Sequence, residues 1–105
     1  MRLGGGDTET ILWFGGEPSG WPGADSTIVV PVDSGRLLMV LSEVRGGWEF
    51  PGGRIEQGES AEGAACREAR EEAGAVVTNL TPLCRYRVKK HDVTSYGIVF
   101  LASVE

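Results

Sequence analysis

The alternation of apolar and polar positions divides the chain into strands on either side of one helical stretch. Ser26 to Val32 is rich in β-branched residues and reads as a strand. Pro31 within it has no N–H, which points to a sheet edge or a bulge. Asp33-Ser34-Gly35 predicts a turn, and Leu37 to Val44 a second strand. The run Leu37, Leu38, Met39, Val40, Leu41 is apolar on both faces, the pattern of a strand covered on both sides. Arg45-Gly46-Gly47 turns the chain again, Trp48-Glu49-Phe50 is a short extended piece, and Pro51-Gly52-Gly53 predicts a sharp bend. Further on, Ala75 to Thr78 begins another extended segment. Leu83 to Val88 reads as a strand with Arg85 and Arg87 on one side and Tyr86 and Val88 on the other. Lys89 to Asp92 predicts a turn, and Thr94 to Val104 a long strand apolar on both faces, hence an inner one.

The helical stretch lies between these halves. From Ser60 to Ala73 every residue except Gly63 tolerates or favours a helix. Ser60 is suited to the N-cap and Gly74 to the C′ position. On this helix Glu68, Glu71 and Glu72 stand at i, i+3 and i+4, so the three carboxylates share one face. Such a face repels itself, and a cation would offset the repulsion. An oxygen-only donor set suits Mg²⁺ or Mn²⁺. Ala65, Ala69 and Ala73 form a small-residue stripe beside the acids, which lets the helix approach the sheet closely. Cys66 is expected on the core side.

Met1 to Ala24 carries seven glycines together with Ile11, Leu12, Trp13, Phe14 and Trp21. We expect Thr10 to Phe14 to form a short strand and Gly15 to Gly23 to be loop. Trp13 and Trp21 either stack on a substrate base or cover the core, the second being the ordinary use of a large ring. The chain therefore divides into a glycine-rich N-terminal segment, residues 1–25, and a main domain, residues 26–105.

Composition narrows the functional classes. A chain of 105 residues is one small domain. Its net charge of −5 argues against nonspecific, stable nucleic-acid binding but permits a phosphate substrate whose charge a metal offsets. No apolar run is long enough to span a membrane, and no basic-then-apolar start marks a secretory signal. Cys66 and Cys84 make neither a disulfide framework nor a zinc pattern, so two reduced thiols in a cytoplasmic protein are expected.

From Gly53, five residues lead to Glu59, seven more to Arg67-Glu68, and then Ala69, Arg70, Glu71-Glu72, Ala73, Gly74 and Ala75 follow. This stretch resembles the Nudix box, the signature of the Nudix hydrolases. All seven invariant letters are present in register, while Ala69 and Ala75 are smaller than the usual aliphatic residues at those places. The preceding Trp48-Glu49-Phe50-Pro51-Gly52-Gly53 is also similar to the segment that leads into the box in many members. The resemblance implies an α/β (α+β) fold, a mixed β-sheet with the catalytic helix packed on it. The full architecture would be an α/β/α sandwich; no second helix is read before Glu105. A partner subunit, as in a homodimer, or the N-terminal apolar segment could cover the second face, or the domain is incomplete.

The activity implied is Mg²⁺-dependent hydrolysis of a pyrophosphate linkage in a nucleoside triphosphate or another nucleoside diphosphate derivative. By resemblance, Glu68, Glu71 and Glu72 hold the metal, with the Gly52 carbonyl as a further ligand. Glu59 and Arg67 orient the acidic cluster, and Glu56 and Glu62 fall on variable, solvated positions. One of the glutamates, in the box or on a later loop, would be the general base. Arg85, Arg87, Lys89 and Lys90 form a basic stripe that either holds distal phosphates or blunts a charged sheet edge. Trp48 is a further candidate substrate contact; Glu49, just before the loop, is within reach of substrate, but exposure is its expected state. His91, in a turn beside Asp92, is expected at the surface. A rival class is a Nudix-like sensor that binds nucleotides without hydrolysis, and such domains often lose box acids that this chain keeps.

Overall fold

The computed structural model describes all residues, Met1–Glu105. In chain order the elements are β1 (Arg2–Gly5), β2 (Thr8–Phe14), β3 (Ser26–Asp33), β4 (Arg36–Leu37), β5 (Val40–Ser42), β6 (Gly47–Glu49), β7 (Gly52–Arg54), α1 (Ala61–Ala73), β8 (Val77–Lys90) and β9 (Val93–Val104). Seven strands form one sheet in the order β1-β2-β8-β9-β3-β4, with β7 also pairing β3, while β5 and β6 make a separate two-stranded ribbon. All neighbours are antiparallel except β3 and β9, which run parallel from Ser26 opposite Gly97 to Val32 opposite Ser103. The sheet is therefore mixed, with one helix on it, as the sequence pattern and the box resemblance imply.

The core lies between α1 and the sheet. Val29, Ile98, Phe100 and Ala102 from β3 and β9 meet Ala65 and Ala69 of the helix. Phe100 is 2% exposed and Val29, Ala65 and Ala69 are fully buried. Burial of each large side chain contributes about 1.5–3 kcal/mol. Alanines on the helix make this packing shallow and bring the helix axis close to the strands. Cys66 is half-buried against this cluster, on the core side as expected. The opposite face of the sheet holds a smaller cluster of Cys84, Tyr86 and Val99, with Leu12, Ile28, Val30 and Val88 partly buried around it.

Several elements depart from the sequence reading. The apolar run after the first turn is not one covered strand. It breaks at Leu38–Met39, where the Leu38 N–H donates to the Pro31 carbonyl at 3.0 Å. Leu37 and Leu41 are each 57% exposed and Val44 is 93% exposed. The physical reason is that β4 has a partner on one side only and β5 leaves the main sheet altogether, so the run has no second layer. Pro51-Gly52-Gly53 is not a simple bend either: Gly52 and Gly53 belong to β7 and pair with Ile28 and Thr27. Pro31 sits in an inner strand. The Val29 N–H donates to the Pro51 carbonyl, so the alternate position 31 turns its missing donor to the same side, into the gap between β7 and β4.

Strand β8 runs unbroken from Val77, with register shifts between Thr78 and Thr81 and between Pro82 and Cys84. Asn79 with φ +54° and Pro82 mark those bulges, and both residues discourage a strand reading from sequence. The turn that follows is only His91-Asp92. The N-terminal segment contributes a hairpin rather than one strand, and β2 extends the main sheet by pairing β8 from Thr8 opposite Lys90 to Phe14 opposite Cys84. In β9 the face of Ile98, Phe100 and Ala102 is buried, whereas on the other face Val99 is buried and Leu101 is 40% exposed.

Candidate active site

Helix α1 is closed at both ends by its own sequence. Ser60 is extended (ψ 159°) and its Oγ accepts the Gly63 N–H at 2.9 Å. Gly74 adopts φ +64°, its N–H bonds the Arg70 carbonyl at 3.0 Å, and the Ala75 N–H bonds the Ala69 carbonyl at 3.2 Å. Between these caps one face carries the acids and the adjoining face the buried alanines.

Arg67 is the centre of the acidic constellation. Its Nε and Nη2 grip the two oxygens of Glu59 at 2.8 and 2.9 Å. Nη1 donates to Glu68 at 2.8 Å and to Glu71 at 3.3 Å, and Nη2 also reaches the Arg54 carbonyl at 3.0 Å. One guanidinium thus ties the helix to the loop after β7 by the bidentate geometry that arginine alone supplies. Hydrogen bonds from Arg67, and then the Glu56 backbone N–H, hold the Glu59 carboxyl at about 2, well below the usual range. The same partners push the Arg67 guanidinium further up. Glu56 is exposed and lies 3.7 Å from Arg67, and Glu62 is exposed on the first turn.

Of the two glycines of β7, Gly52 is required by the backbone beside it, and Gly53 leaves room for the Glu68 carboxylate. A Cβ at Gly52 would stand 2.5 Å from the Thr27 carbonyl oxygen, and one at Gly53 would stand 2.5 Å from Glu68 Oε1. Glu68 therefore packs directly on the backbone of residue 53, with its side chain only 13% exposed. Glu72 accepts the Gly52 N–H at 2.8 Å. The acidic face is in this way aimed at the Gly52–Gly53 backbone.

A family model described as the NUDIX domain matches residues 22–105. The chain belongs to the NUDIX family. YtkD of Bacillus subtilis, provisionally named an 8-oxo-dGTP diphosphatase, is 41% identical over 71 residues, covering 68% of this chain and 44% of that protein. The 8-oxo-dGTP diphosphatase of Proteus vulgaris is 50% identical over 42 residues, covering 40% of this chain and 38% of its own length. The crystal structure of the Bacillus subtilis pyrophosphohydrolase BsRppH, in a variant with one Glu-to-Ala substitution, superposes with a TM-score of 0.84 and 33% identity over 93% of this chain and 61% of that one. The chain thus spans less than half the length of these curated relatives.

Within this NUDIX domain, the residues singled out from sequence fall into two groups. Glu59, Arg67, Glu68, Glu71, Glu72 and Gly52 are brought together at the junction of β7 and α1. Their donor chemistry, carboxylates and a backbone carbonyl, fits a hard divalent cation. In this structure no three of the acids converge on a single point. Glu68 and Glu71 are turned onto Arg67, and Glu72 is turned onto the Gly52 N–H.

Arg85 and Arg87 stand apart from that junction, because β9 and β3 lie between their strand and β7. Arg87 sits over the Trp13 ring, 5.9 Å from its centroid, and 3.4 Å from Glu9. The stripe does not blunt an edge, since β2 pairs β8 along that length. Trp13 packs edge-on against Trp21, and Trp21 against Tyr96, so these rings cover the sheet. Trp48 is 66% exposed on the ribbon. His91 is exposed in its turn, 3.7 Å from Asp7.

Sequence reasoning passed over one part of the site. A cleft of about 330 Å³ opens beside the acids, lined by Ile28, Val40, Arg45, Glu49, Phe50, Gly52 and Glu72. Arg45 had been read only as part of a turn. Its charge next to Gly46-Gly47 was the available signal, but nothing in the pattern shows that the ribbon comes to line one cleft with Glu72.

Proposed function

We propose that this domain is a hydrolase that splits a pyrophosphate linkage in a nucleoside triphosphate or another nucleoside diphosphate derivative, with Mg²⁺ as cofactor and Mn²⁺ as a substitute. The observation that supports it is the acidic face of α1, clasped to the Gly52–Gly53 backbone through the Arg67–Glu59 pair. Glu68, Glu71, Glu72 and the Gly52 carbonyl are the ligands we assign. A divalent cation there supplies positive charge to the phosphate oxygens and acidifies the attacking water.

Arg67 and Glu59 set the helix against the loop and so orient the acids. Glu71 and Glu72 are the exposed members of the row and have the solvent access that a general base needs. The adjoining cleft, apolar at Ile28, Val40 and Phe50, is a place for a base or sugar. An oxidised guanine nucleotide of the 8-oxo-dGTP type is the substrate we favour, from the names of the relatives. No helix is long and apolar enough to cross a membrane, and the two free thiols suit the reducing cytoplasm.

The test is turnover of 8-oxo-dGTP, unmodified nucleoside triphosphates, ADP-sugars and dinucleoside polyphosphates with Mg²⁺ or Mn²⁺. Glu71→Gln and Glu72→Gln are expected to lower kcat at least about 100-fold. No turnover of any compound, or full activity in both variants, overturns the proposal. Tight binding without turnover would identify the non-catalytic sensor instead.

A further inference from the structure

The cleft beside the acids is walled by Glu72 on one side and by Arg45 and Glu49 on the other. Arg45 is the only cation that lines it. Glu68 and Glu71 both face Arg67, whereas Glu72 has only the Gly52 N–H. Arg45 and Glu72 line the same cleft; the hydrogen bond to Glu49, and then its charge, raise the guanidinium above its ordinary value, and Glu72 adds a smaller push the same way. A guanidinium on a long stem that lines the same cleft as an incompletely paired carboxylate is attracted to it. Here it is held elsewhere: Arg45 Nε bonds both carboxylate oxygens of Glu49.

The turn that carries Arg45 is closed by its own hydrogen bonds. Ser42 Oγ accepts the Arg45 N–H at 3.1 Å, the Ser42 carbonyl accepts the Gly46 N–H at 2.8 Å, and Gly46 takes φ +72°. The loop after β5 is thereby closed so that Arg45 faces back to Glu49, which stands opposite Val40 in the ribbon.

We propose that Glu49 is a positioning residue for the metal carboxylates: it holds Arg45 across the cleft from Glu72, keeping that acid available to a divalent cation. This rests on the reading of Glu68, Glu71 and Glu72 as metal ligands. Without Glu49 the guanidinium swings to Glu72 and competes with the ion. With it, Arg45 stays at the rim of the cleft.

The experiment is a Mn²⁺ titration of the chain followed by electron paramagnetic resonance of the free ion, with no nucleotide present. It compares wild type, Glu49→Ala, Glu49→Gln, Arg45→Ala and the Arg45→Ala/Glu49→Ala double variant. Glu49→Ala is expected to weaken Mn²⁺ binding about fivefold, the weight of one solvent-screened ion pair. In the Arg45→Ala background the same change is expected to alter affinity less than about twofold. Wild-type binding with unchanged affinity in Glu49→Ala overturns this inference alone. So does an equal loss in both backgrounds, because Glu49 would then act on the ion directly. A wild type that binds no Mn²⁺ overturns the metal reading itself and this inference with it. Thermal melting of each variant checks the fold, and Glu49→Gln, which keeps the side-chain shape, carries the test should the alanine variant unfold.

Discussion

Gly53→Ala is the substitution whose effect follows most directly from the structure. The new Cβ would stand 2.5 Å from Glu68 Oε1, 2.8 Å from Cδ and 3.1 Å from Oε2. Ordinary separation for such atoms is about 3.5 Å, so the carboxylate has to retreat by roughly 1 Å. It does so by turning its end aside, because the helix itself is fixed. Glu68 is held by Arg67 Nη1 at 2.8 Å, and on the same helix Ala64, Ala65 and Ala69 are fully buried, so α1 cannot lift without opening the core. The atoms met are the end of a side chain, so rotation of Glu68 relieves the clash at about 1 kcal/mol, the hydrogen bond it gives up. A displacement of about 1 Å in a reacting constellation lowers turnover on the order of 100-fold. Urea unfolding and steady-state hydrolysis of whichever nucleotide the wild type turns over read the two effects separately. Gly5→Ala is the control: no atom lies within 4 Å of its added Cβ, and its stability should stay within about 0.5 kcal/mol of wild type. If Gly53→Ala matched that control in both stability and turnover, the close approach of helix to strand would not be what sets the acids.

Two further outcomes are expected. Ser60→Ala removes the acceptor of the Gly63 N–H and should lower stability by about 1 kcal/mol, with Ser60→Asp close to wild type, both measured by urea unfolding. Glu59, with its carboxyl lowered from 4.5 to about 2, contributes stability that is complete above about pH 4.5 and is lost as pH falls toward 2. Acid titration of stability should show that loss in wild type and a flatter slope in Glu59→Gln; identical slopes would count against the Arg67–Glu59 clasp.

The helix and the register of its acids were legible because the signals are local. Ser60 and Gly74 cap the segment, and the spacing of Gly53, Glu59, Arg67 and the three acids puts them in one register. The surroundings were illegible because they depend on distant partners. Leu37 to Leu41 has the composition of a buried strand, yet its exposure is decided by the absence of a second layer over β4 and β5. Gly52 and Gly53 look like a bend until Thr27 and Ile28 are placed beside them. Arg85 and Arg87 look like free cations, but Trp13 and Glu9 reach Arg87 from strand β2, far away in sequence. The pairing of Arg67 with Glu59 was legible; its grasp of the Arg54 carbonyl was not, because backbone acceptors leave no mark in a sequence.

The parallel pairing of β3 with β9 has a kinetic consequence. Thr27 and Ile98, joined by a side-chain hydrogen bond, are 71 residues apart in the chain. Every residue of the acidic constellation lies inside that loop. Closing a loop of this length costs about 4 kcal/mol of chain entropy before the contact repays it. Topologies of this kind fold in roughly milliseconds to seconds, as one cooperative event. The caps of α1 can form early, but its acids meet Gly52 and Gly53 only once β3 is anchored. Amide exchange at Val29 and Val99 should therefore slow in the same folding phase as exchange within α1, and separate phases would show that the helix docks without the central strands. A chain whose chemistry waits on so distant a contact has few partly folded forms that could bind metal or substrate.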